Sequence, residues 1–194
     1  MSLKEDIIHE SQKLFSINGF ISTGVNDIIE AAKTSKGGFY NHFSSKEDLF
    51  FHVLTEAQEI WREKVLSGVR ELESPFEKIK LIFSNYRDNY LLDSDNFPGG
   101  CIFITLSVEL DDQRPHLMEE LNKGFLGFTR LLKELLDECV ERGEIEPDIE
   151  TAKVANFLFT SMLGVSVFYG VDKSKNTLDR SIKSLGDYLD LLRI

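Results

Sequence analysis

Two cysteines in 194 residues cannot lay out a disulfide framework. The longest apolar stretch, Phe157 to Tyr169, carries Thr160, Ser161 and Ser166 and is too short to predict a membrane-spanning helix. No apolar secretory run follows Met1, and no repeat or low-complexity run appears anywhere. These absences point to a cytoplasmic protein of one large domain or two small ones, with enough apolar content to bury a core. Basic residues are also scarce. The net charge is −11, and residues 1–51 hold five lysines and no arginine against seven acidic residues, or −2. The remainder carries seventeen basic and twenty-six acidic residues, or −9. Nucleic-acid affinity comes largely from lysine and arginine on phosphate, so this balance argues against non-specific DNA binding.

What is present is a dense run from Thr34 to Phe43. Thr34 and Ser35 are turn and capping residues, Gly37 and Gly38 open the next helix, and Phe39 and Phe43 share one helical face as anchors. Lys36, Gly38, Tyr40 and Asn41 are left for the outside. Small residues at a helix start allow close approach to another surface, and the free N–H groups there favour phosphate. A recognition helix that enters the major groove is built this way, although a short surface helix with a loose start shares the pattern. The preceding residues strengthen the first reading. Leu3, Ile7, Ile8, Leu14 and Phe15 form a helical stripe that ends at Asn18-Gly19-Phe20. Val25, Ile28, Ile29 and Ala32 repeat at helical spacing behind Thr23 as the expected cap. Lys33-Thr34-Ser35 is the corner. Two short helices around such a corner, braced by a third, make a helix-turn-helix. Ser44 with Glu47 reads as a capping box that starts a long helix.

The run Leu14-Phe15…Asn18-Gly19-Phe20…Thr23…Asp27-Ile28…Ala31-Ala32…Ser35-Lys36-Gly37-Gly38-Phe39-Tyr40…His42-Phe43…Ser45-Lys46-Glu47-Asp48-Leu49 resembles the TetR/AcrR family of bacterial transcriptional regulators. The resemblance spans about residues 3–50. It departs from the family at Lys33, where glycine is usual; a lysine held at positive φ there carries a modest penalty, or else contacts phosphate. The resemblance implies an all-α fold, with a three-helix DNA-binding domain over residues 1–48 and a six-helix effector-binding and dimerisation domain over 49–194. It further implies a homodimeric repressor on a palindromic operator, with a small apolar or aromatic effector and no catalysis, cofactor or metal.

Beyond the reading head, Leu49, Phe50, Val53, Leu54, Ala57, Ile60, Trp61 and Val65 predict a helix from Ser45 to about Glu73. Ser74-Pro75 starts another. Residues 101–110 alternate with period two, as a strand would, but no partner strand exists, so a short buried helix is expected. Asp111 to Pro115 breaks it, and the following helix stops at Gly143. Thr151 to Tyr169 is apolar nearly all round and must be covered on several sides. Leu178, Ile182, Leu185, Leu189 and Leu192 form a seam suited to helix-on-helix packing.

Site assignments follow. Thr23, Lys33, Thr34, Ser35, Lys36, Gly37, Gly38, Tyr40, Asn41, His42 and Lys46 are the expected DNA contacts, with Lys36 and Gly38 nearest the bases. Tyr86, Phe103, Phe125, Phe128, Phe159 and Met162 are expected to line an effector pocket beside Gly124 and Gly127. Leu178, Ile182, Leu185 and Leu189, with the outer face of the Thr151 helix, are expected at the dimer interface. Glu109, Asp111, Asp112 and His116 match no metal or acid–base spacing and read as caps at a helix junction. Cys139 sits on an apolar stripe as core. Cys101 starts the buried helix and has two readings: a redox-sensing thiolate favoured by the helix dipole, or a small buried filler. An alternative of a different class is an enzyme or small-molecule carrier with an unused reading head, for which the lysines, Tyr40 and the glycine face would have no purpose.

Overall fold

The computed structural model describes residues 2–110 and 114–194, and is helical throughout. The chain divides into two compact units, residues 1–61 with 93–121 and residues 62–92 with 122–194. The expected domain break after residue 48 falls inside the fourth helix, Lys46–Val65. The helix breaker expected at Asp111 to Gln113 lies outside the described residues.

The first unit opens with α1 (Leu3–Ser22), held at its start by a reciprocal box between Ser2 and Glu5. The turn signal at Asn18-Gly19 is a kink rather than an end. Gly19 takes φ 78° and ψ 176°, and one further turn follows to Ser22. In α2 (Val25–Ala31) the cap is Gly24, whose N–H donates to Asp27 Oδ2 at 2.7 Å. Thr23 is therefore not the cap. After α3 (Lys36–Tyr40), α4 (Lys46–Val65) starts on Ser45, whose Oγ accepts from Asp48 N at 3.0 Å, while Asp48 Oδ2 accepts from Ser44 N at 2.8 Å. Ser45 rather than Ser44 is thus the cap, with Asp48 rather than Glu47 answering through Ser44 N. The Ser44 backbone N–H first, then its hydroxyl, holds the Asp48 carboxyl below its ordinary range. Inside, Phe15, Phe20 and Phe50 meet edge to face, at 5.5 and 5.3 Å between ring centres.

Residues 101–110 settle as the helix α6 (Ile102–Leu110), after α5 (Pro75–Asn85) of the other unit. Ile102, Leu106 and Leu110 are buried four residues apart, so helical spacing prevails over the local alternation. α6 lies along α1. The segment before it is sewn to the same helix: Gly99 N donates to Ser16 Oγ at 3.2 Å, and Gln12 Nε2 donates to Asn96 O at 3.3 Å.

In the second unit α4 stops at Val65 instead of near Glu73, because Gly68 turns left-handed at φ 72° ahead of a 3-10 turn, Val69–Glu71. Asn85 Nδ2 seals that end by donating to the carbonyls of Val65 and Ser67 at 3.1 and 2.7 Å. α5 (Pro75–Asn85) begins on the Ser74 cap and runs on as a π-helical segment, Tyr86–Leu91. α7 (Pro115–Glu141) stops before Gly143 at φ 67°. α8 (Thr151–Asp172) and α9 (Lys175–Asp190) pack together, and α9 also packs on α5. α8 has 22 residues, longer than its apolar stretch implied, so by length and composition alone it could cross a membrane, a property shared by the core helices of folded proteins. Val154, Ala155, Leu158, Met162 and Val165 are buried within the protein.

The α9 seam is a second correction. Leu178, Ile182, Leu185 and Leu189 are buried against their own chain, since α9 is apolar on one stripe only and that stripe is taken up by α8 and α5. Apolar residues remain uncovered along one side of α8: Phe157, Val167, Phe168 and Val171 are exposed, Phe168 at 67 % and Val171 at 82 %.

The close approach at Gly99 is testable. A Cβ there would strike the Ser16 backbone carbonyl, which cannot swing aside. Gly99→Ala should destabilise the protein by about 1–3 kcal/mol in thermal or urea unfolding, as overpacking does. The same substitution at Gly143 meets open space but sits at φ 67°, so its smaller loss comes from backbone strain alone.

Candidate nucleic-acid interface

The α2–α3 corner depends on one strained residue. Lys33 takes φ 50°, in the left-handed region, with its N–H on Glu30 O at 3.1 Å, and Thr34 N donates to Ile29 O at 3.0 Å. Ser35 then caps α3, its Oγ accepting from Gly38 N at 3.0 Å. Phe39 and Phe43 are buried with rings 5.7 Å apart, pinning this five-residue helix to the core. That anchoring turns Lys36, Gly37, Tyr40, Asn41 and His42 outward. Tyr40 is 48 % exposed, its ring edge-on to Phe39 at 5.1 Å. Its hydroxyl therefore projects on a rigid mount.

The two glycines differ. A Cβ at Gly38 would strike the Thr34 hydroxyl, whereas one at Gly37 would meet only Ser35 Oγ at 3.8 Å. Gly38 lets the corner close, and Gly37 is the open position on the outer face. Lys33 and Ser35 are exposed, while Thr34 and Gly38 are half-buried.

Two expected contacts lie elsewhere. Thr23 is 1 % exposed, and its hydroxyl donates to Gly19 O at 2.6 Å. Lys46 turns inward: its ammonium donates to the carbonyls of Phe20 and Thr23, both at 2.8 Å, and lies 4.4 Å from the centre of the Phe20 ring. Burial lowers its pKa, with Glu109 pulling the other way. Glu109, read above as a cap at its own helix junction, caps a turn far away in sequence instead. Its carboxylate accepts from the N–H groups of Phe20, Ile21 and Ser22, the latter two at 2.8 and 3.2 Å. The pattern Gly19-Phe20…Glu109 is too far apart in sequence to announce this. The first turn of α4 meets Arg114 and His116, both on Glu47, with His116 Nε2 at 3.0 Å. Among the described residues no group of three His, Cys, Asp or Glu side chains could hold a metal; Asp111 and Asp112 lie outside them.

In the second unit, several residues expected around an effector do meet. Phe159 packs edge-on to Phe125 and Phe128 at 5.3 and 5.6 Å. The Tyr86 hydroxyl bonds to Ser166 Oγ and donates to Met162 O at 3.3 Å, and the Tyr86 and Tyr90 rings stack at 5.6 Å. Phe103 belongs to the first unit, and a Cβ at Gly127 would meet nothing within 4 Å. Cys101 lies immediately before α6, buried, its carbonyl accepting from the Ile104 and Thr105 amides at 3.1 and 3.2 Å. Burial first, then Glu144 and Glu138, pushes the Cys139 thiol up to about 12. That thiol is inert core.

Two family models match this chain. One, described as bacterial regulatory proteins of the tetR family, covers residues 7–53, and the other, a tetracyclin repressor-like C-terminal domain, covers residues 75–185. The chain belongs to the TetR family. As a TetR-family protein it is a DNA-binding transcriptional regulator, and the outward face of α3 lies inside the first matched segment. Its relatives include the transcriptional repressor DhaR of Mycobacterium sp. (strain GP1), 26 % identical over 92 % of this chain and 87 % of that protein. A TetR transcriptional regulator from Chloroflexus aurantiacus J-10-FL superposes with a TM-score of 0.88 at 25 % identity, covering 97 % of this chain and 94 % of that one. The TetR-family regulator CifR, in a cysteine-substituted form complexed with a 26-base-pair operator duplex, has the same fold, with a TM-score of 0.81 at 18 % identity over 93 % and 94 % of the two chains.

The inward lysine separates a structural lysine from the outward-facing residues of α3 in this TetR-family chain. Lys46→Met would strip the carbonyls of residues 20 and 23 of a charged donor and should lower unfolding stability by about 2 kcal/mol. Lys36→Ala, on an exposed face, should stay within about 0.5 kcal/mol. Chemical denaturation of the two variants beside wild type checks both.

Proposed function

We propose that the protein is a repressor that binds a palindromic operator as a homodimer and is released by a small apolar or aromatic molecule. The observation that carries this reading is the outward set Lys36, Gly37, Tyr40, Asn41 and His42 on a short helix bolted down by Phe39 and Phe43. Residues 1–48 act as the reading head and 49–194 as the effector-binding and dimerising part. Lys36 reaches base edges or adjacent phosphates, with the open Gly37 allowing the backbone close. Lys33, Thr34, Ser35, Tyr40 and His42 hold the DNA backbone. Binding relies on shape and these few contacts rather than bulk charge, because the net charge of −11 repels DNA at long range.

The dimer forms through the exposed stripe of α8, Phe157, Val167, Phe168 and Val171, rather than through the leucines of α9, which are already covered. A two-fold axis there sets the half-site spacing of the operator. The effector enters the aromatic group around Tyr86, Phe125, Phe128, Phe159 and Met162, and favours the state in which two recognition helices no longer match successive major grooves. Cys101 is treated as filler in this reading, since its side chain is buried.

Selection of bound duplexes from random DNA by the purified protein should yield an inverted repeat; recovery of no preferred sequence would defeat the reading. On the selected duplex, Tyr40→Phe should weaken binding by about 1–2 kcal/mol, the loss of one hydroxyl–phosphate bond. Phe168→Glu with Val171→Glu should give a folded monomer by light scattering that has lost operator affinity.

A further inference from the structure

We propose that Glu109 is a positioning residue for operator binding: from α6 it fixes the turn of chain that carries the start of the helix-turn-helix. This rests on the DNA-binding reading above. The turn in question is Phe20 to Ser22, which follows the kink at Gly19 and precedes α2 by only Thr23 and Gly24. Gly19 takes a non-helical conformation and interrupts the helix just before the three amides of this turn. The Glu109 carboxylate accepts all three. On the opposite side of the same turn, Lys46 from the start of α4 holds the carbonyls of Phe20, Ile21 and Thr23, at 2.8, 3.4 and 2.8 Å. An anion thus grips the amide end and a cation the carbonyl end of a single turn, each in the favourable sense for a helix dipole.

The backbone at residue 19 is matched to this grip. A φ of 78° with ψ near 180° is accessible essentially to glycine alone, and a Cβ at that position would collide with the Glu109 carboxylate. α6 is apolar on its buried face, through Ile102, Leu106 and Leu110, and packs along α1, where Thr105 Oγ1 adds a long bond to Ser16 O at 3.5 Å. Glu109 adds a charged tie to the Phe20–Ser22 turn itself. Where α6 stands, the Phe20–Ser22 turn stands, and α2 begins from there.

The charge change makes the test sharp. Glu109→Gln removes a negative charge from the DNA-binding unit, so electrostatics alone would tighten binding to any duplex. Loss of positioning predicts the reverse for the operator only. Wild type and Glu109→Gln are compared on the duplex selected by wild type and on a scrambled duplex of equal length. Operator affinity should fall at least tenfold, scrambled-duplex affinity should hold or rise, and the Phe20, Ile21 and Ser22 amides should exchange with solvent at least tenfold faster. Unchanged or tighter operator binding by a folded variant overturns the proposal, as does an equal loss on both duplexes. If the variant does not fold, amide exchange in wild type decides: protection of residues 20–22 should rise at least threefold when the selected duplex binds, and no change overturns it. Should wild type select no duplex, the DNA-binding reading falls and this one with it; should wild type bind and Glu109→Gln bind equally, only this one falls.

Discussion

A single interrupted turn of helix, residues 20–22, bears the organisation of the first unit. Backbone amides and carbonyls exposed by a kink must find partners, since burying them unpaired costs about 1–3 kcal/mol each. Here the partners come from two distant parts of the chain, Glu109 and Lys46. Phe20, in the same turn, is buried between Phe15 and Phe50. Polar satisfaction and aromatic packing therefore converge on one point, and the start of α2 has no freedom left once both are met.

The remaining surface of the reading head follows from that constraint. With α1, α4 and α6 locked around Phe20, α3 has only Phe39 and Phe43 to bury, so its other side must face outward. Five residues suffice for such a helix because its stability comes from those two anchors and the Ser35 cap rather than from its own length. The same economy explains how an acidic chain presents a DNA-reading face. Acid dominates beyond residue 51, and in the first unit Glu109 and Asp27 are occupied with backbone amides.

Local patterns carried much of this in the sequence. The helical stripes of α1, α2 and α4, the caps at Ser35 and Ser74, and the glycine stop at residue 143 act within a few residues, where spacing and backbone preference decide. Even α6 was legible once its alternation was weighed against the lack of a partner strand. The errors share a cause: each concerned which of several surfaces a side chain meets. Lys46 and Lys36 look alike in sequence, but only the fold brings the carbonyls of residues 20–23 to one of them. The α9 leucines have the spacing of a seam between helices, and spacing does not say whether the other helix belongs to the same chain. Glu109 was legible as a cap but not as the cap of residues 20–22, because those amides lie far off in sequence and the glycine before them first reads as a simple helix end.

Lys33 shows a different balance. Holding a lysine at φ 50° costs about 1–2 kcal/mol that a glycine would avoid. In return, the corner gains one of only five cations in the first 51 residues. In the contact proposed for Lys33, each lysine on phosphate displaces a condensed counterion, so the salt dependence of operator binding would be set by very few residues, with Lys33 carrying a large share. Folding stability and ionic-strength sensitivity are thus tied together at one backbone angle: relaxing that angle with glycine would make the protein sturdier and its grip on DNA less responsive to salt.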